Sequence, residues 1–433
     1  MAGYGCALDG EAASWYAAPC HRACGGFAMA VSWQSGPFTF TGTPQIMFGS
    51  GMLHKLAELL PGGTRRVLFV MGGFEQSNAE QWKRVSDSLA AASIAYDIAH
   101  IRHEPTVEWV DEVVDRFRGG DAVGAVIAIG GGSAMDAGKA VSAMLTTEPG
   151  DTVLHYLEGQ SAFRAHKGSK IFFVAVPTTS GTGSEMTKNA VISIKGGFKR
   201  SLRHDRFIPD VAIVDGSITI SCPVAVKAAS GLDALTQLIE SYVSTKASPM
   251  TDALALSGIE AAASSLLPIC TSSDAAADVE LHERMTYASM MSGITLAHAG
   301  LGLVHGFAAP LGGQFPIPHG VICGTLLAEV TKRNIEYLRA AEGESATVAS
   351  VALAKYAAVG ALLTGHPKED AEGCLARLVE TLEAWTELLQ IQKLGAYGVN
   401  ADNLDAVISA SDNKQSPVQL DKAAMREILL ARI

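Results

Sequence analysis

Two histidines fourteen residues apart, His305 and His319, stand in one stretch between Leu301 and Gly320. The first ends an apolar Gly-Leu-Gly-Leu-Val run that predicts buried helix. The second follows Pro316 and Pro318 and precedes Gly320, which places it at a chain turn. Neutral imidazole is the commonest side-chain metal ligand. Upstream, residues 230–244 carry apolar side chains at 232, 235, 238, 239, 242 and 243, the spacing of a helix. Asp233 and Gln237 are four apart and share one face of it, offering hard oxygen donors to a divalent cation. Asp233, His305 and His319 with one open position would make a catalytic rather than a structural metal site. On spacing alone, two unrelated core or capping histidines are the commoner outcome.

Elements able to position these residues follow from the rest of the pattern. Residues 38–41, 66–71, 95–101, 125–129 and 171–176 are expected to be strands, and 52–60, 79–93 and 107–118 helices, with 44–51 a turn-rich entry. The run Arg66-Val-Leu-Phe-Val-Met71 is mostly apolar, as in a buried parallel strand. Strand–helix alternation implies βαβ units and a doubly wound sheet. The strand at 125–129 runs straight into Gly130-Gly131-Gly132-Ser133-Ala-Met-Asp136-Ala-Gly-Lys139. Strand, glycine turn and helix N-terminus together can hold a pyrophosphate. Neither the GxGxxG fingerprint nor a P-loop is present, so the turn alone favours an ordinary βα loop. Beyond Cys222-Pro223 strand-like runs stop and helical periodicity continues, with 410–421 a surface loop before a last helix. The expected division is an N-terminal extension at 1–33, compatible with disorder, an α/β domain at 34–220 and an all-helical domain at 221–433.

The 433 residues are 48% apolar and 6% aromatic, with 33 Lys plus Arg against 44 Asp plus Glu, a net charge of −11. No basic stripe invites nucleic acid or anionic membrane, and no apolar run is read as approaching the ~20 residues of a membrane span. Seven scattered cysteines without a CxxC fit a reducing cytoplasm rather than a disulfide framework. Cys20 and Cys24, in the extension, are not read as a metal site. His298 is a candidate for the cleft. His54, His100, His103, His155, His166, His204, His282 and His366 read as surface or structural.

Taken together, these motifs resemble the iron-containing, or group III, alcohol dehydrogenase family, from about Phe38 to the C-terminus. The family's ligand helix reads Gly-x-Asp-Ala-x-x-His, and its downstream block Gly-Leu-Val-His, then Pro-His-Gly. The resemblance implies a dehydroquinate synthase-like architecture and an NAD(P)-dependent enzyme interconverting an alcohol and an aldehyde or ketone. It assigns nicotinamide cofactor binding to the α/β domain at 34–220 and metal binding to the all-helical domain at 221–433. It implies one divalent metal, Fe2+ or Zn2+, on Asp233, Gln237, His305 and His319. It implies cofactor contacts from Gly131, Gly132, Ser133 and Asp136, from Thr178, Thr179 and Thr182 in the Pro-Thr-Thr-x-Gly-Thr-x-x-Glu block, and from Lys199. Where NAD-preferring relatives carry Asp after the strand matching 66–71, this chain has Gly72-Gly73, a lean to NADP with dual use that Glu75 opposes. Homodimers or larger homo-oligomers are expected.

Two departures stand out. Gln237 replaces the family's second ligand histidine, and Ala309 replaces a histidine tied to proton relay or substrate contact. Two rival readings follow: a cofactor-binding relative with impaired catalysis, and a dehydroquinate synthase-like lyase. Residues 228–244 and 300–320 hold no Arg or Lys for that lyase's polyanionic substrate.

Overall fold

The computed structural model describes residues 37–119, 122–194, 198–343, 345–365 and 370–433. The N-terminal extension, with Cys20 and Cys24, and His366 lie outside them.

Apolar runs bounded by glycine or proline become one parallel sheet. Its strands are β1 (Gln45–Phe48), β2 (Arg66–Met71), β3 (Ala95–His100), β4 (Ala125–Gly130), β5 (Phe172–Pro177) and β8 (Val211–Val214). They lie in the order β1-β8-β5-β4-β2-β3, all neighbours parallel. The intervening β6 (Asn189–Ile194) and β7 (Phe198–Arg203) form a separate antiparallel hairpin. Pleating sends Val67, Phe69 and Met71 to one face, where α1 (Leu56–Leu59), α2 (Phe74–Ser77) and α3 (Ala79–Ala91) bring Leu56, Phe74, Val85 and Leu89. Leu68 and Val70 point the other way, into a core shared with α4 (Val107–Arg118) and α5 (Gly132–Met144). From β2 the chain goes first to the edge strand β3, then back across to β4. The strand order therefore reverses between β2 and β4, where open α/β sheets bind ligands.

After Val214 the described residues form no strand. Among the described residues nine α-helices follow: α6 (Val224–Val243), α7 (Pro249–Thr271), α8 (Val279–Ala299), α9 (Leu303–Gln314), α10 (His319–Arg339), α11 (Ser345–Thr364), α12 (Ala371–Leu388), α13 (Leu404–Ala410) and α14 (Lys422–Leu430). Helix α6 is buried on every side from Gly231 to Val243 and packs against α7, α8, α10 and α11. The fold is thus an α/β region built on a parallel sheet, followed by a helical region.

Several expectations change. Residues 38–41 form no strand; Phe40 stacks on His298, ring centroids 3.7 Å apart, and the strand is β1, inside the stretch read as a turn. The helix expected at 52–60 divides into a 3-10 turn at Met52–Lys55 and α1. The apolar run before His305 breaks the helix at Gly300, whose φ of 75° ends α8, and α9 leaves at 100° to it. The loop at 410–421 is not wholly superficial: Ser416 is buried and its Oγ accepts from the Leu303 N–H at 2.9 Å, capping α9. Finally, α7 and α11 are each long and apolar enough to cross a membrane, because their few charges are spread among Ala and Ser. In the fold α7 packs on α6 and α8, and α11 on α12.

Candidate metal centre and cofactor cleft

Three helices converge on one point. Asp233 comes from the buried middle of α6, His305 from the first turn of α9, and His319 opens α10. Gly320 lets α10 start directly against α6, since a Cβ there would lie 2.6 Å from the Ala229 carbonyl oxygen. Asp233 Oδ1 lies 3.4 Å from His305 Nε2 and 3.6 Å from His319 Nε2. That oxygen is buried and accepts no hydrogen bond. A buried carboxylate oxygen without a donor is costly unless a cation joins it, so the donor set fits a divalent metal.

Two residues not singled out from the sequence belong to this arrangement. Glu240, two helical turns beyond Asp233, accepts the His305 Nδ1–H at 2.7 Å and the Val304 N–H at 2.7 Å. This holds His305 with Nε2 toward Asp233, as a carboxylate behind a metal-ligating histidine does. The spacing 233–240 is a signal available in the sequence. Cys323, one turn after His319 on α10, is the other. Its Sγ lies 3.6 Å from His305 Nε2 and 3.7 Å from His319 Nε2, and the four donor atoms fall within 4.8 Å of one another.

Gln237 is buried one turn along α6 from Asp233, and its Oε1 accepts from Ser292 Oγ at 2.6 Å. His298 belongs with the N-terminal segment: its Nε2 lies 3.0 Å from Thr41 Oγ1. Ala309 is exposed on α9.

Electrostatics around the cluster follow from burial and neighbours. Burial pushes the Cys323 thiol up to about 12, so it is neutral in the metal-free protein. Burial would lower His305, but the Cys323 sulfur and the carboxylates of Glu240 and Asp233 together outweigh it, and the imidazole lies well above its ordinary range. Burial likewise would raise Asp233, but the imidazoles of His319 and His305 bring it below the usual carboxylate range.

Between the ends of β2 and β4 opens a cleft of about 530 Å³, lined by Gly72, Gly73, Gly131, Gly132, Ser133 and Thr179 among others. The N-terminus of α5 points into it from Gly132. Thr179 and Thr182 press on Gly131 and Gly132: a Cβ at 131 would meet Thr179 Oγ1 at 3.2 Å, and one at 132 would meet Thr182 Cγ2 at 3.0 Å. The Thr178 N–H donates to the Gly130 carbonyl at 2.9 Å, closing the turn.

Asp136 and Lys199 do not line the cleft. Asp136 Oδ2 accepts the Val191 N–H at 3.0 Å, tying α5 to the hairpin. Burial raises this carboxyl to about 6 against the pull of Lys139, and burial lowers the Lys139 ammonium to about 8. Lys199 pairs with Glu104 at 2.7 Å beside α9. Conversely, His100 and His103, expected to be superficial or structural, line the cleft with Arg102, Glu75 and Gln76. His100 ends and His103 follows the edge strand β3, whose place beside β2 no local pattern discloses.

A family model for iron-containing alcohol dehydrogenases matches residues 43–216, and the model of the family's C-terminal region matches 227–433. The chain belongs to the iron-containing alcohol dehydrogenase family. It is 34% identical over 340 residues to "Long-chain-alcohol dehydrogenase 1" of Geobacillus thermodenitrificans, covering 75% of this chain and 78% of the relative. It is 32% identical over 375 residues to "Probable alcohol dehydrogenase EutG" of Salmonella typhimurium, covering 86% and 88%. Among solved structures, a 1,3-propanediol oxidoreductase superposes with a TM-score of 0.79 at 26% identity, covering 91% of this chain and 99% of that one. The protein is accordingly an NAD(P)-linked oxidoreductase that interconverts an alcohol and an aldehyde or ketone.

Proposed function

We propose that Asp233, His305 and His319 hold one divalent metal ion, Fe2+ or Zn2+, beside a nicotinamide dinucleotide laid across the glycine turns that follow β2 and β4. The observation carrying this reading is the buried, unpartnered Asp233 Oδ1 between two imidazole Nε2 atoms. When bound, the ion supplies Lewis-acid polarisation of the substrate oxygen and the nicotinamide supplies or accepts the hydride.

The chain's own work is positioning. Glu240 keeps the His305 proton on Nδ1. Backbone amides at the start of α5 face the pyrophosphate. The His319 side chain, 42% exposed, leaves an open side where a small alcohol or carbonyl compound can enter. Thr179 and Thr182 brace Gly131 and Gly132, and we assign them, with Thr178 and Ser133, to the cofactor's phosphate and ribose. Asp136 and Lys199 serve from outside the cleft, Asp136 by anchoring α5 and Lys199 by its charge near His319.

Arg102 and His103 beside Gly72 and Gly73 support a 2′-phosphate. Glu75, with Oε2 buried and unpartnered, is placed for a ribose hydroxyl, so both NADP and NAD are used. We divide the chain near residue 220, between the end of β8 and the start of α6. We assign it to the cytoplasm on its free cysteines, and to a homodimer or larger homo-oligomer on the open edge of β1 with Phe38 and Phe48 exposed. Metal analysis of anaerobically purified protein, followed by alcohols and aldehydes with both cofactors, tests the reading. One ion per chain and metal-dependent turnover are expected; full activity in metal-free His319→Ala protein would sink it.

A further inference from the structure

We propose that Cys323, rather than Gln237, supplies the fourth protein donor to the metal, giving an Asp233–His305–His319–Cys323 centre. This rests on the reading of Asp233, His305 and His319 as metal donors. With bonds of about 2.0–2.2 Å to nitrogen and oxygen and about 2.3 Å to sulfur, a tetrahedral ion separates N and O donors by about 3.4 Å and N and S donors by about 3.5 Å. The N···O separations here are 3.4 and 3.6 Å, and the S···N separations 3.6 and 3.7 Å. Each of Asp233 Oδ1 and Cys323 Sγ stands nearly equidistant from both imidazole nitrogens. A single thiol proton can serve only one of them, whereas a shared ion at the centre serves all four atoms.

Gln237 has a partner of its own in Ser292, at 2.6 Å. Where the resemblance leads one to expect a histidine ligand on α6, the chain presents a thiol across from it on α10. On loading, the Cys323 Sγ–H bond breaks, the proton passes to solvent, and the sulfur forms a bond to the ion. One carboxylate and one thiolate then balance a divalent charge. Thiolate softens the site toward Zn2+ relative to a set of imidazole and oxygen donors. The exposed side of His319 would leave room for a substrate oxygen to reach the ion.

The test uses full-length protein stripped of metal and titrated with Co2+, whose bond to a thiolate gives an intense near-ultraviolet charge-transfer band. One equivalent of Co2+ should produce that band in wild type and in Gln237→Ala, and should not in Cys323→Ser. Zn2+ affinity, measured against a chromophoric chelator, should fall at least about 100-fold in Cys323→Ser, the upper end of the loss from removing a supporting contact. In Gln237→Ala it should change little. Bound Co2+ without the band in wild type overturns the assignment of Cys323, as does an unchanged Zn2+ affinity in Cys323→Ser. A wild type that takes up no Co2+ overturns the metal-centre reading itself, a different result. If Cys323→Ser does not fold, the wild-type and Gln237→Ala spectra still decide.

Discussion

Replacing Lys139 by methionine should loosen the cofactor region from within. Lys139 is 1% exposed, and its Nζ donates to the Ser184 carbonyl at 3.0 Å, Thr187 Oγ1 at 3.2 Å and the Asn189 carbonyl at 2.8 Å. It thereby fastens α5, whose first turn faces the cofactor, to the threonine-rich turn and to β6. Its charge also faces the carboxylates of Asp136 and Glu185. Methionine keeps the bulk and removes every donor. Two carbonyls lose their partner, at about 1–3 kcal/mol each. No longer having to bury an ammonium returns part of this. The expected net loss is about 3 kcal/mol of unfolding free energy, within the range for breaking one buried ionic network. Adding Asp136→Asn should cost less than the sum of the two single changes by about 1 kcal/mol or more, because the orphaned carboxylate is gone. Guanidinium unfolding followed by the fluorescence of Trp82 and Trp109, both beside the parallel sheet, measures this. A loss under about 1 kcal/mol, with the two changes additive, would refute the reasoning.

Removing the hydrogen-bonding carboxylate in Glu240→Gln should weaken metal binding about 10–100-fold while the protein stays folded, checked by competition titration; unchanged affinity would show that His305 does not need this partner. Glu75→Gln should raise affinity for NADP and leave NAD little changed, read by titrating both cofactors. A strong wild-type preference for NAD, lost in that variant, would overturn the lean to NADP. Arg102→Ala should weaken NADP by about 10-fold or more, the worth of one hydrogen bond to a charged group at about 1.5–3 kcal/mol, and spare NAD. Burial raises the Glu185 carboxyl from 4.5 to about 7. A raised carboxyl favours the protonated folded state, so its stabilisation is full below 4.5 and is lost as pH rises through about 7. Unfolding midpoints between pH 5 and 7 should therefore fall less steeply with rising pH in Glu185→Gln, and an unchanged slope would exclude the carboxyl as the source.

How much of this was legible beforehand differs between elements for physical reasons. Strand β2 announces itself because both its faces are buried, which forces an unbroken apolar run. Residues 38–41 alternate like a strand, yet what Phe40 and Thr41 contact is His298, 257 residues from Thr41, and no local pattern encodes that pairing. The Gly300–Val304 run reads as helix because its apolar residues satisfy either structure, yet Gly300, at positive φ, ends α8 and α9 starts only at Leu303.

Asp233, His305 and His319 were readable by residue type, since few side chains bind metal and their neighbours fix the local turn. The sequence alone determined the candidate donors, the glycine turn after β4 and the family. Tertiary structure alone decided which groups share a point in space. It placed Glu240 behind His305 and Cys323 between two imidazoles, and brought Arg102, His100 and His103 from the edge strand to Gly72 and Gly73. Period and composition act over a few residues, whereas metal coordination and cofactor selectivity depend on distances of a few ångströms between segments far apart in the chain. Those distances are set by how helices α6, α9 and α10, and strands β2, β3 and β4, pack.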